Sequence, residues 1–110
     1  MHEVLEQGVE LKANWSQDCG KDISAIANKP DRTGGWIVIG CSDGGGAILG
    51  NTLTWLRETE QKVSNHINHY LTPDFTVVNI KGEIVADTHV LLVEISSPNE
   101  VVRWNEITLR

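Results

Sequence analysis

The stretch that most constrains this chain runs from Gly34 to Gly50, GGWIVIGCSDGGGAILG. Its apolar run reads as a strand over Trp36 to Cys41, covered on both faces and entered through a Gly-Gly turn. Ser42-Asp43-Gly44-Gly45-Gly46 then leads into a second short strand, Ala47 to Leu49. Glycines at 44, 45 and 46 permit positive φ and close backbone approach, so the pattern presents Asp43 at the mouth of a sheet, within reach of a ligand. Taken alone, the same residues make a tight turn with an acid in it.

The flanking segments supply the rest of a fold. Val9-Glu10-Leu11-Lys12 alternates apolar and charged residues, the period of a strand with one dry face, and places Glu10 and Lys12 together on the other. Asn14 to Gly20 reads as a loop whose Trp15 covers the edge of the core. Ile23, Ile26 and Ala27 fall at helical spacing, giving a helix from about Asp18 to Asn28 that Lys29-Pro30 closes. Thr52 or Thr54 caps a longer helix reaching about Leu71, with Leu56, Val63, Ile67, Tyr70 and Leu71 on one stripe, and Pro73 stops it. Phe75 to Ile80 reads as a strand, Lys81-Gly82-Glu83 as a turn, and His89 to Ile95 as a strand with Glu94 facing water at a sheet edge. Val101 to Trp104 extends along the sheet and Ile107 to Leu109 forms a last strand. This order predicts an α/β or α+β domain: a mixed sheet of about five to six strands with two main helices packed on it. The chain stops in mid-strand, which predicts further domains after Arg110.

Composition narrows the function. The 110 residues suit one domain, and 40% hydrophobic with 22% charged residues is an ordinary globular balance. No apolar run is long enough for a membrane span and the N-terminus lacks a signal pattern, so a cytoplasmic location is expected. Cys19 and Cys41 form neither a CxxC pair nor a disulfide framework; Cys41 packs as a small hydrophobe. His66 and His69 lie three apart on the long helix, without the carboxylates or cysteines of a metal site around them, and read as surface residues. A net charge of −6 argues against a basic face gripping duplex phosphates. It leaves room for a site that meets phosphate through a bound cation, where carboxylates are the ligands.

Glu10-x-Lys12 is the first candidate for chemistry. A carboxylate and an ammonium two apart on a strand can both meet one phosphate and its metal. Asp43 is the partner carboxylate from the neighbouring strand, and Glu6 a third ligand. An ion pair on a strand face is the plainer alternative. Gly44, Gly45 and Gly46 offer backbone N–H groups to a phosphate, yet GxxxxGK[ST] is missing and no helix starts directly behind them.

In order and spacing, Val9-Glu10-Leu11-Lys12, Lys21 to Asn28, Gly34 to Gly44 and Ile48-Leu49-Gly50 resemble the Schlafen AlbA-like domain family. Its pattern is EFK, K-x-x-x-A-x-A-N, a glycine-flanked hydrophobic strand ending G-x-x-D-x-G, then a hydrophobic-x-G. The resemblance continues to Ile107-Thr108-Leu109-Arg110, similar to the family's closing Y-x-R. It implies a mixed α/β fold and, as in eukaryotic members, a metal-dependent endoribonuclease site acting on structured RNA such as transfer RNA. Bacterial members imply an N-terminal DNA- or ATP-binding module of transcriptional regulators or defence proteins. Carried across by position, Glu10 is the motif acid, Lys12 its lysine and Asp43 the acid after the strand; Mg²⁺ or Mn²⁺ would be held by Glu10 and Asp43, with Glu6. The family's upstream acid falls at Leu5 here, one place before Glu6. A third reading is an assembly domain that forms a homo-oligomer through its last strand and exposed tryptophans such as Trp104.

Overall fold

The structure, a computed structural model, describes residues 8–42 and 45–105. In chain order the elements are β1 (Val9–Lys12), α1 (Asp18–Ala27), β2 (Gly35–Ile39), α2 (Leu53–Tyr70), β3 (Leu71–Thr72), a 3₁₀ turn (Asp74–Thr76), β4 (Val77–Val85), β5 (Thr88–Ile95) and β6 (Arg103–Trp104). A four-stranded sheet has the order β1-β2-β5-β4, and β3 pairs with β6 in a separate two-stranded sheet. β1 and β2 run parallel, while β5 is antiparallel to both β2 and β4. The result is the expected α+β domain of two helices on a mixed sheet.

Register decides which side chains meet the helices. Ile37 and Ile39 of β2 lie opposite Val93 and Leu91 of β5, and all four are fully buried beneath Ile23 and Ile26 of α1 and Leu56, Val63 and Ile67 of α2. Since paired residues point to one side of a sheet, the alternate set, Trp36, Val38, Leu92 and Glu94, lies on the face away from the helices. Each fully buried aliphatic side chain contributes about 1.5–3 kcal/mol relative to exposure, so this two-helix face is what holds the domain together. Thr52 starts α2 as its cap: the Thr52 side chain accepts from the Trp55 amide at 3.0 Å.

Several expectations change. Lys81-Gly82-Glu83 is not a turn but the middle of β4; the turn lies at Ala86 and Asp87, both with positive φ. Gly82 leaves room there for Leu56 of α2: a Cβ would lie 2.5 Å from Leu56 Cδ2, and that side chain would have to shift. Asp74 to Thr76 winds as a 3₁₀ turn, so that strand starts at Val77 rather than Phe75. β2 spans Gly35 to Ile39, and Ala47 contributes one isolated bridge to Cys41 instead of a second strand. Segment 101–104 leaves the main sheet and pairs through β6 with β3. Glu94 sits on an interior strand between Trp36 and Asn79, not at an edge. Ile107 to Leu109 lies outside the described residues.

The small sheet closes the end of the core with aromatic rings. Trp104 is half-buried, not exposed, packing edge-on against Trp15 at 6.3 Å and beside Tyr70 at 5.4 Å. Asn28, just after α1, clamps the segment before β6: its Nδ2 donates to the Val102 carbonyl and its Oδ1 accepts from the Val102 amide, each at 2.9 Å. Buried Trp15 donates its indole N–H to His66 Nδ1 at 2.7 Å.

That bond gives His66 a structural duty. It requires a neutral ring protonated on Nε2. Burial, helped by the charges of Lys62 and His69, holds the imidazole below its ordinary value. The unfolded chain takes up this proton near about pH 6.5, but the folded one resists it. The sign is therefore fixed: the contribution is complete above that pH and is lost as pH falls through the lower folded-state value. The urea midpoint is expected to decline as pH falls below about 6.5, and His66→Gln to flatten that decline. An unchanged slope in the variant would contradict the assignment.

Candidate functional site

The sequence-predicted pair of β1 does share one face, but it is the helix-covered one. Glu10 and Lys12 lie opposite the buried Ile37 and Ile39, whereas Val9 and Leu11 turn to the side of Trp36 and Val38. β1 is an edge strand, so its two long charged side chains reach past the core to the flank of α1 with their ends still wet. There they meet Asp22.

Asp22 is the residue that sequence reasoning missed. Lys12 Nζ lies 3.0 Å from Asp22 Oδ2 and 3.9 Å from Glu10 Oε2. All three side chains are about 30% exposed. The Asp22 hydrogen bond chiefly, supported by the charges of Asp22, Cys19 and Glu10, raises the Lys12 pKa against the opposing effect of burial. The ammonium is held charged between two carboxylates. Only one signal pointed to Asp22: a polar residue directly beside Ile23 and one turn before Ile26, on the flank of the stripe that α1 buries.

The charged cluster borders a cleft between β1 and α1, lined by Gly8, Val9, Glu10, Asp22, Ala25, Ile26 and Lys29. Two carboxylates, an apolar wall and Lys29 thus converge on one space next to Lys12. Glutamate and aspartate oxygens are hard donors of the kind Mg²⁺ and Mn²⁺ take. Among the described residues, however, no group of three or more His, Cys, Asp or Glu side chains comes together as a metal site. Glu6, Asp43 and Gly44 lie outside the described residues.

The glycine loop is described at Gly45 and Gly46. Gly45 has φ +107°, and a Cβ there would have Leu11 Cδ1, at 3.9 Å, as its nearest neighbour. The Gly45 amide donates to the Ser42 carbonyl at 2.9 Å, and the Ser42 amide to the Gly46 carbonyl at 2.8 Å. These bonds tie Ser42 to Gly45 and Gly46, and Gly45 lies beside Leu11. Glu94, paired with Trp36, lies on the sheet face away from the helices, and so does not line the cleft. The free thiols of Cys19 and Cys41 are buried, and burial raises both pKa values, which suits packing rather than nucleophilic chemistry.

The family model described as Schlafen, AlbA_2 matches residues 6–110. No curated protein matches the sequence. Among solved structures, the fold is similar to the N-terminal domain of a protein of Nitrosomonas europaea related to the ATP-dependent DNA helicase RecG. That likeness has a TM-score of 0.68 and 15% identity, and covers 98% of this chain and 79% of the other. It is also similar to the DIP2311 protein of Corynebacterium diphtheriae, with a TM-score of 0.53 and 14% identity over 87% of this chain and 19% of that one. At such identities the likeness is one of fold. Among the described residues no helix is long and apolar enough to cross a membrane.

Proposed function

We propose a nucleic-acid function from one premise: this chain belongs to the Schlafen AlbA_2 family, whose model spans residues 6–110. On this reading the β1–α1 cleft receives the phosphodiester backbone of RNA and cleaves it. The observation that carries the proposal is the meeting of Glu10, Lys12 and Asp22 within 3.0 and 3.9 Å at the mouth of a cleft. Glu10, with Asp22 beside it and Asp43 and Glu6 as the sequence candidates, supplies oxygen donors for Mg²⁺ or Mn²⁺. Such an ion, when bound, polarises a phosphoryl oxygen and lowers the pKa of water. Lys12, kept charged by its carboxylate neighbours, steadies negative charge developing on the phosphate. The Lys29 ammonium, close to Gly8 at the other end of the cleft, can hold a neighbouring phosphate of the strand.

Labelled transfer RNA incubated with and without Mn²⁺ tests this reading. Cleavage is expected only with metal, and Glu10→Ala is expected to lower it on the order of a hundredfold or more. Activity of Glu10→Ala equal to the parent would remove the assigned role.

One observation favours a second reading. The cation that both Glu10 and Asp22 meet is the chain's own Lys12, so the carboxylates already have a positive partner without a metal. A non-catalytic DNA- or ATP-binding module would then use Lys12 and Lys29 for phosphate. Calorimetric titration showing nucleotide or DNA binding but no Mn²⁺ uptake would select it.

A further inference from the structure

The longest strand of the main sheet is also one of its edges. Nine residues, Val77 to Val85, form β4, and among the described residues only β5 pairs with it. Ile84 on this strand is 66% exposed and Val85 48%. An edge of that length presents a row of backbone N–H and C=O groups that another strand can take up.

The pattern along β4 says which strand. The ladder with β5 is irregular between Val77 and Asn79 and regular from Asn79 to Val85, and the midpoint of that regular segment is Gly82. About Gly82 the sequence is Ile80-Lys81-Gly82-Glu83-Ile84: isoleucine balances isoleucine, and a positive charge balances a negative one. Lys81 and Glu83 share one face of the strand, at about half exposure, with Nζ 3.5 Å from Oε2. Charges on an edge strand ordinarily repel a like edge. Here opposite signs lie two apart around a central glycine, so antiparallel self-pairing sets each Lys81 against the other copy's Glu83. The same register sets each exposed Ile84 against the other copy's Ile80. Directly opposed residues of antiparallel strands have Cβ atoms about 4.5–5.5 Å apart, close enough for both kinds of pair to count.

We infer that the outer edge of β4 pairs antiparallel with that of a second copy of this chain, about a two-fold axis at Gly82, joining two four-stranded sheets into one. The interface is isologous, as a closed dimer requires. It lies across the sheet from β1, at the opposite edge, so the nucleic-acid cleft of each copy stays open and the inference does not depend on what that cleft binds.

Sedimentation equilibrium at submillimolar concentration tests it. The parent chain is expected to be a dimer. Lys81→Glu gathers four acidic side chains at the joint and Glu83→Lys four basic ones, and each is expected to weaken dimerisation tenfold or more. Mixing the two variants is expected to restore a one-to-one heterodimer, because each then faces the charge it lacks. Ile84→Ser, which leaves the charges in place, is expected to weaken the dimer through the apolar pair. A parent chain that stays monomeric would overturn the inference. So would charge variants that dimerise as the parent does, or a mixture that forms no heterodimer.

Discussion

Gly35→Ala is expected to destabilise the domain by about 3 kcal/mol or more, a large share of the 5–15 kcal/mol that hold a typical domain folded. A Cβ on Gly35 would overlap the Gly8 carbonyl oxygen, lie 2.8 Å from the Gly8 carbonyl carbon and press on Ile26 Cγ2 at 2.9 Å. The first two are backbone atoms of the residue that leads into β1 and cannot rotate away. The Gly8 carbonyl is also the acceptor for the Trp36 amide at 2.6 Å, the bond that opens the β1–β2 ladder. Relief therefore means parting the two parallel strands and, with them, the base on which Glu10 and Lys12 stand. Gly46→Ala is the contrast: a Cβ there meets nothing within 4 Å, so its effect on stability is expected to stay within about 0.5 kcal/mol. Urea denaturation of both variants checks the pair. Equal midpoints would show that the Gly8–Gly35 approach is not limiting.

That contrast bears on how much of the molecule could be read from its sequence. Both glycines belong to the stretch that most constrains the chain, yet periodicity and turn chemistry cannot separate a glycine needed for strand approach from one in open space. Gly82 was misread for the same reason. Set between a lysine and a glutamate it has turn chemistry, but its lack of a side chain serves Leu56, 26 residues away in the chain. Local patterns with a physical period were legible: the alternation of β1, the stripe of α1, the Thr52 cap and the apolar run of β5 all form where expected. What depends on partners distant in sequence was not. The Trp15–His66 bond spans 51 positions and the Asn28–Val102 clamp 74. Two histidines three apart announce a helix face, but nothing local tells that one of them accepts an indole N–H. At the site, alternation placed Glu10 and Lys12 together but not their direction. The face they share could be assigned only once the register with Ile37 and Ile39 was known.

Lys12 is where the largest effect of a polar substitution is expected. Lys12→Met removes the cation that both Glu10 and Asp22 reach, and each of these carboxylates is about two-thirds shielded from water. Breaking a fully buried pair costs about 3–5 kcal/mol; with the remaining exposure screening the charges, about 2 kcal/mol is expected here. Asp22→Asn should cost about 1 kcal/mol, since Lys12 keeps Glu10 and water. The double variant should cost about 1 kcal/mol less than the two single losses together, and that difference measures the direct pairing. The pH dependence follows from the raised lysine pKa: the contribution is present below about pH 10.5 and is lost as pH rises through the higher folded-state value, a limb that Lys12→Met should lack. Urea denaturation across the cycle reads the structural share of Lys12, and RNA cleavage by the same four proteins reads the rest. If Lys12 stabilises charge on the scissile phosphate, Lys12→Met stays inactive under conditions where all four proteins are folded. If Lys12 only offsets the charge of its neighbours, Lys12→Met cleaves there at the parent's rate.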